Sequence, residues 1–230
     1  MGAEPHDPYP EEQSVSDWLV PTTKGAAGAV PIIGGLLGEI VGFIWTPALQ
    51  QRQTEWFKRL AERVSQLEGK VEDLRERLQR EQVLTVAVNA ARAATATHEE
   101  EKRGALRNAV INSALNVEPD ELMQLVFVGM VDRLTAGHLL MLELFDSPIE
   151  FFERRVAAPP AFSLTSSLGQ LIKTAFPEWD VDLYGRLASD LDQEGLAHAS
   201  GLGTTMSAGG AMQSRTTSLG KRFMRFIRSP

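Results

Sequence analysis

Seven apolar residues spaced alternately by three and four, Phe57, Leu60, Val64, Leu67, Val71, Leu74 and Leu78, are the strongest constraint on this chain. That spacing puts every one of them on a single stripe of an α-helix, and the charged residues between them cover the other faces. Nothing from 50 to 147 alternates with the period of two that a half-buried strand needs. The sequence therefore predicts an all-helical half. An alanine-rich stretch, Val83 to Thr97, reads as a slim, closely packed helix. Glu99, Glu100 and Glu101 open the next helix, where negative charge suits the positive end of the helix dipole. Glu118-Pro119-Asp120-Glu121 marks another start, with proline placed in the first turn. LMQLVFVGMVDRL then reads as a central core helix. Thr135 can cap AGHLLMLELF, which must end before Pro148.

Whether the heptad helix, residues 51–82, pairs with itself is left open by its charges. In a parallel pair, Arg63 would attract Glu68 while Lys70 would repel Arg75. An apolar stripe of this length serves an intramolecular bundle equally well. Before it lies a glycine-rich apolar run, residues 25–46, in which Gly34, Gly38 and Gly42 fall on one helical face. As a helix this run would reach roughly 30 Å, the thickness of a hydrocarbon core. Pro31 and Glu39 count against a simple span, because proline removes a backbone donor and a carboxylate is costly in a bilayer. The glycine face can meet a membrane neighbour, the chain's own core or a second copy.

Charge sorts the function classes. The chain of 230 residues carries a formal charge of −7 and no cysteine. Disulfides, thiolate catalysis and the usual zinc sites are therefore excluded. Residues 1–20 read as a mobile acidic tail, with Glu4, Asp7, Glu11, Glu12 and Asp17 and no Lys or Arg before position 18. The other end is basic: Arg215, Lys221, Arg222, Arg225 and Arg228 are candidates for contacts with an anionic partner. The histidines, His6, His98, His138 and His198, lack any metal-ligand spacing, and no phosphate loop or nucleophile elbow is present. No catalytic, cofactor or metal residues are assigned, and the expected protein is not an enzyme.

The C-terminal third, residues 148–230, resembles a winged-helix domain. Two helical stretches lead through "LDQEGLA" to a polar segment, Ser200 to Ser214, and then to "TTSLGKRFMRFI". The resemblance implies a core of Leu191, Leu196, Leu219 and Phe223, turns at Gly195 and Gly220, and a small β-wing. The helix before the wing, residues 178–194, holds six acids against Arg186 alone, which disfavours a nucleic-acid partner. "GGLLGEIVGFIW", "QRQTEWFKRLAERVSQLE", "EEEKRGALRNAVINSAL" and "LTAGHLLMLELFDSP" together are similar to bacterial abortive-infection alpha-type helical proteins. That resemblance implies a bacterial protein of phage defence, without a known reaction or transferable site. The expected fold is mainly α: a bundle over 21–147 followed by a winged-helix-like α+β module over 148–230. The expected role is a self-associating or membrane-associating interaction protein without a cofactor; the alternative is a DNA-binding transcription regulator. The expected location is the cytoplasm, with contact at the inner face of the cell membrane through 25–46 left open.

Overall fold

Trp56, Phe57, Leu60, Val64 and Leu67 form the buried stripe of the first helix described, α1 (Pro47–Glu68). The computed structural model describes residues 47–155 and 165–230, and over these the protein is mainly helical. The tail 1–20, the apolar run 25–46 and its Gly34, Gly38 and Gly42 lie outside the described residues.

The continuous heptad helix expected over 51–82 is replaced by three pieces. After α1 the chain turns through Gly69 and Lys70, with Asp73 in the left-handed region at φ 58°. A short helix α2 (Leu74–Leu78) and then α3 (Glu81–Ala96) follow. An unbroken helix over the expected range would run to about 48 Å, twice the roughly 24 Å of α3 that it packs against. The break folds Leu74 and Leu78 back into the chain's own core, where both are buried. Leu60, Val64 and Leu67 are buried in the same core and Val71 packs half-buried against it.

The alanines of α3 (Ala87, Ala90, Ala91 and Ala94) let α1, α4 and α5 approach closely around it. In α4 (Glu100–Ala114) burial extends almost all the way round, and it includes Lys102, Arg103, Asn112 and Ser113. Such groups cost stability unless partnered. Lys102 donates to the Asp132 carbonyl at 2.9 Å and Arg103 to the Arg52 carbonyl at 3.1 Å. The buried indole N–H of Trp56 donates to the Arg103 carbonyl at 3.0 Å.

Helix α5 (Glu121–Arg133) begins after Asp120, whose carboxylate accepts from the Met123 N–H. Pro119 thus precedes the cap instead of occupying the first turn. Thr135 and His138 form a capping box at the start of α6 (Ala136–Asp146). Pro148 opens a new helix, α7 (Pro148–Arg155), so the expected stop is also a start.

In the C-terminal third, α8 (Leu168–Ala175) and α9 (Val181–Gln193) are capped by Ser167 and Asp180. Strands β1 (Thr165–Ser166) and β2 (Met206–Ser207) pair antiparallel, and a single bridge joins Ala197 to Thr216. The polar segment 200–214 does not pair with itself: its strand reaches back to β1, and a one-turn helix α10 (Ala208–Ala211) follows at once. Gly195 makes a turn at φ 69°, as its position demands.

The last helix, α11 (Ser218–Ile227), enters the N-terminal bundle. Phe223 and Phe226 are fully buried, their rings 5.5 and 5.8 Å from that of Phe127 on α5. The side-chain amide of Asn112 on α4 donates to the carbonyls of Phe226 at 2.7 Å and Arg228 at 2.8 Å. Asn108 donates to that of Ile227 at 2.9 Å. These bonds satisfy orphan carbonyls at the helix end. Residues on both sides of 147/148 therefore pack in one shared core. Gly220 makes no turn there; it permits a close approach. A Cβ on it would lie 2.0 Å from the Leu196 carbonyl oxygen and 2.7 Å from Thr216 Cγ2. Thr217 fixes that approach, donating from its amide to Leu196 O at 3.0 Å and from its hydroxyl to Gly195 O at 2.6 Å.

Candidate interaction surface

Helix α5 is apolar on most sides, and no core can enclose every side of a helix at the surface of a bundle. Gln124, Phe127, Val128, Met130 and Val131 take the buried side. Leu122, Leu125 and Val126, spaced as one face, are left in solvent at 77%, 37% and 46% exposure. Val117, just upstream, is exposed as well. Scattered apolar residues at a surface are ordinary, whereas several on one helical face form a patch. The apolar sequence of this helix points to a central core position, and the open face is an addition to it. The available signal was the excess of apolar residues over one stripe's worth.

The inner side of α5 is held rigidly. Gln124 donates to the Glu118 carbonyl at 2.6 Å and accepts from the Ser113 hydroxyl at 2.6 Å. Glu118, almost fully buried, takes a two-pronged contact from Arg222, with Nε and Nη2 both at 2.8 Å. The Arg222 guanidinium bonded to it, with help from the Asp120 amide, holds the Glu118 carboxyl below the usual range against the opposing effect of burial. The open face thus sits on a helix whose base is pinned to α4 and α11.

The basic residues assigned to an anionic partner do not act as one group. Arg222 is committed to Glu118, and Arg228 pairs with Asp146 at 2.8 Å. Arg215 donates to the Gly210 carbonyl at 2.9 Å and bridges the segment after β2. Lys221 and Arg225 alone among the five are exposed.

The acids of the 178–194 stretch are also largely occupied. Asp180 caps α9, Asp190 pairs with Arg186 at 3.0 Å, Asp192 accepts from the Ala199 amide, and Glu194 pairs with Arg133. His138 faces Asp190 across 3.3 Å from Nε2, while its Nδ1 accepts from the Thr135 amide at 3.0 Å. Burial pushes its imidazole below the ordinary value, an effect that Asp190 only partly offsets. Neutral His138 with a proton on Nε2 satisfies both contacts, so the residue serves as a helix cap.

Among the described residues, no group of three or more His, Asp or Glu side chains is placed to hold a metal ion. No single described helix is long and apolar enough to cross a membrane. Helices α5 and α6 would pass together by length and composition, but they bend by 117° where they meet. Compared with known families, curated proteins and solved structures, the chain finds no match.

Proposed function

We propose that this protein works by association rather than by catalysis, and that the open face of α5 is where the contact forms. The observation that carries the reading is Leu122, Leu125 and Val126, exposed together on a helix whose opposite side is locked into the core. Covering that face removes apolar area from water at about 25 cal/mol per Å2, the usual driving force for association. The stripe of Gly34, Gly38 and Gly42 offers a second contact, to another copy or to a membrane, through close helix approach. Phage defence is the setting that the likeness to abortive-infection alpha-type proteins supplies, with activity at the inner face of the cell membrane.

Sedimentation of the full chain tests the association. The expected result is a species heavier than one chain, which Leu122→Glu with Val126→Glu reduces to the monomer without loss of helix content. A wild-type chain that stays monomeric and does not partition to vesicles would overturn this reading.

A DNA-binding regulator is the second reading. The succession β1, α8, α9, the Ala197–Thr216 bridge and β2 favours it, because a winged helix places its reading helix at the position of α9. The electrostatics oppose it: Arg186 is the single base on α9, and it is already paired with Asp190. Salt-dependent, sequence-selective binding of duplex DNA by the full chain would reverse this order.

A further inference from the structure

On the side of the bundle formed by α4, α6, α7 and the end of α11 lies a cleft of about 390 Å3. Its apolar lining comes from Ala105, Leu139, Met224 and Ile227, all of them buried residues. Arg107, Arg154, Arg155 and Arg228 also line it, brought there from the middle of α4, the last turn of α7 and the end of α11. In a chain with net charge −7, this gathering of guanidinium groups is the notable exception.

Glu100, Glu143 and Asp146 pair with these donors without using all of them, Asp146 meeting Arg228 at 2.8 Å, and Glu101 also lines the cleft. Each guanidinium carries five N–H groups, arranged to meet planar or tetrahedral oxyanions. Glu143 is shared, meeting Arg154 at 3.2 Å and Arg155 at 3.0 Å. Glu100 is shared three ways, by Arg59 at 2.6 Å, Arg107 at 2.7 Å and Arg103 at 3.7 Å. Arg107 and Arg228 each keep a buried N–H without a partner among the described residues. Such groups are uncommon in native proteins because each costs desolvation energy without return. Burial pushes the Glu100 carboxyl up, yet Arg107, Arg59 and Arg103 together hold it below the usual range. Arg154 and Arg155 are about half exposed, so an arriving ligand can compete with Glu143 for their remaining N–H groups.

We infer that this cleft binds a phosphomonoester, its phosphate held by Arg154 and Arg155 and its apolar body laid over Leu139, Met224 and Ile227. A phosphate suits the site better than a simple carboxylate, since it offers more acceptor oxygens to an excess of donors. The apolar lining separates this site from a bare anion trap. The inference stands independently of the α5 contact, which lies on other residues.

Calorimetry on the full chain with phenyl phosphate and with inorganic phosphate is the test, with vesicles containing phosphatidate as a second arm. Phenyl phosphate should bind at least about tenfold more tightly than inorganic phosphate, since its ring covers the apolar lining. Arg154→Gln with Arg155→Gln should weaken it about tenfold or more, whereas Lys221→Gln with Arg225→Gln, outside the cleft, should change little. Glu143→Gln releases both arginines from their present partner and should tighten binding, a result that loss of folding cannot imitate. Vesicle binding that follows the same variants would make the ligand a lipid headgroup; binding of phenyl phosphate alone would make it a soluble ester. No binding in either arm, or binding that is indifferent to Arg154, Arg155 and Glu143, overturns the inference.

Discussion

Two glycines in helices should respond in opposite directions to the same added methyl group. Gly185, within α9, has nothing within 4 Å of the position a Cβ would take. Gly185→Ala should therefore stabilise by about 0.5–1 kcal/mol, the ordinary helix-propensity gain. Gly220→Ala enjoys that gain but meets the Leu196 carbonyl oxygen at 2.0 Å, about 1 Å inside the 3.0 Å that real Cβ contacts respect. The obstacle is backbone, so no side chain can swing aside. Relief requires α11 to shift, yet α11 is anchored by Phe223, Phe226, Asn112 and the Arg222–Glu118 pair. Overpacking of this kind costs about 1–3 kcal/mol, and loosening the two Thr217 bonds to residues 195 and 196 adds about 1 kcal/mol each. After the propensity gain is deducted, the net loss should be about 2–4 kcal/mol. For a chain of this size each kcal/mol moves the melting temperature by about 2–4 °C. Urea unfolding of both variants, followed by circular dichroism, measures the difference directly. If Gly220→Ala is as stable as Gly185→Ala, the close fit of α11 on residue 196 is wrong, and the reasoning fails with it.

Asn112→Leu should cost about 2–4 kcal/mol, because it strands the Phe226 carbonyl in the core and leaves the half-buried Arg228 carbonyl without its donor, and urea unfolding should show one transition rather than early release of the C-terminal third. Separate transitions would mark 148–230 as an independent module. The depressed pKa of His138 makes stability pH-dependent with a definite sign. The unfolded chain takes up the proton first, so the contribution is complete above about 6.5 and is lost as pH falls through the lower folded value. Urea midpoints for His138→Gln should fall less steeply below that pH than wild-type midpoints; parallel curves would remove His138 as the cause.

Much of the bundle was legible because helical periodicity is a local property. The buried residues of α1, the slim α3, the acidic start of α4 and the cap at Thr135 all rest on neighbours within a turn or two. The break after Glu68 was not legible, since the stripe from Phe57 to Leu78 keeps its spacing straight through it. The fold-back that buries Leu74 and Leu78 beside Leu60, Val64 and Leu67 is a tertiary fact. The place of α11 was hidden for a similar reason: Asn112 and Phe226 are 114 residues apart, and an asparagine within a helical pattern gives no sign of what it will clamp. The arginine cleft gathers residues from α4, α7 and the end of α11, which no spacing rule connects. The apolar face of α5 was visible as composition but not as exposure.

The seat of α11 also constrains how the sequence can drift through evolution. Position 220 admits no side chain, position 195 favours glycine through its positive φ, and position 217 must both donate to residue 195 and accept from residue 220. Position 112 must present an amide donor to a helix end more than a hundred positions away. These demands are geometric, so they persist when surface residues and even core volumes have been exchanged. A distant relative should be recognisable by an amide in the helix equivalent to α4 together with a glycine, then a threonine and a second glycine spaced as Gly195, Thr217 and Gly220 are here, even where overall identity has faded.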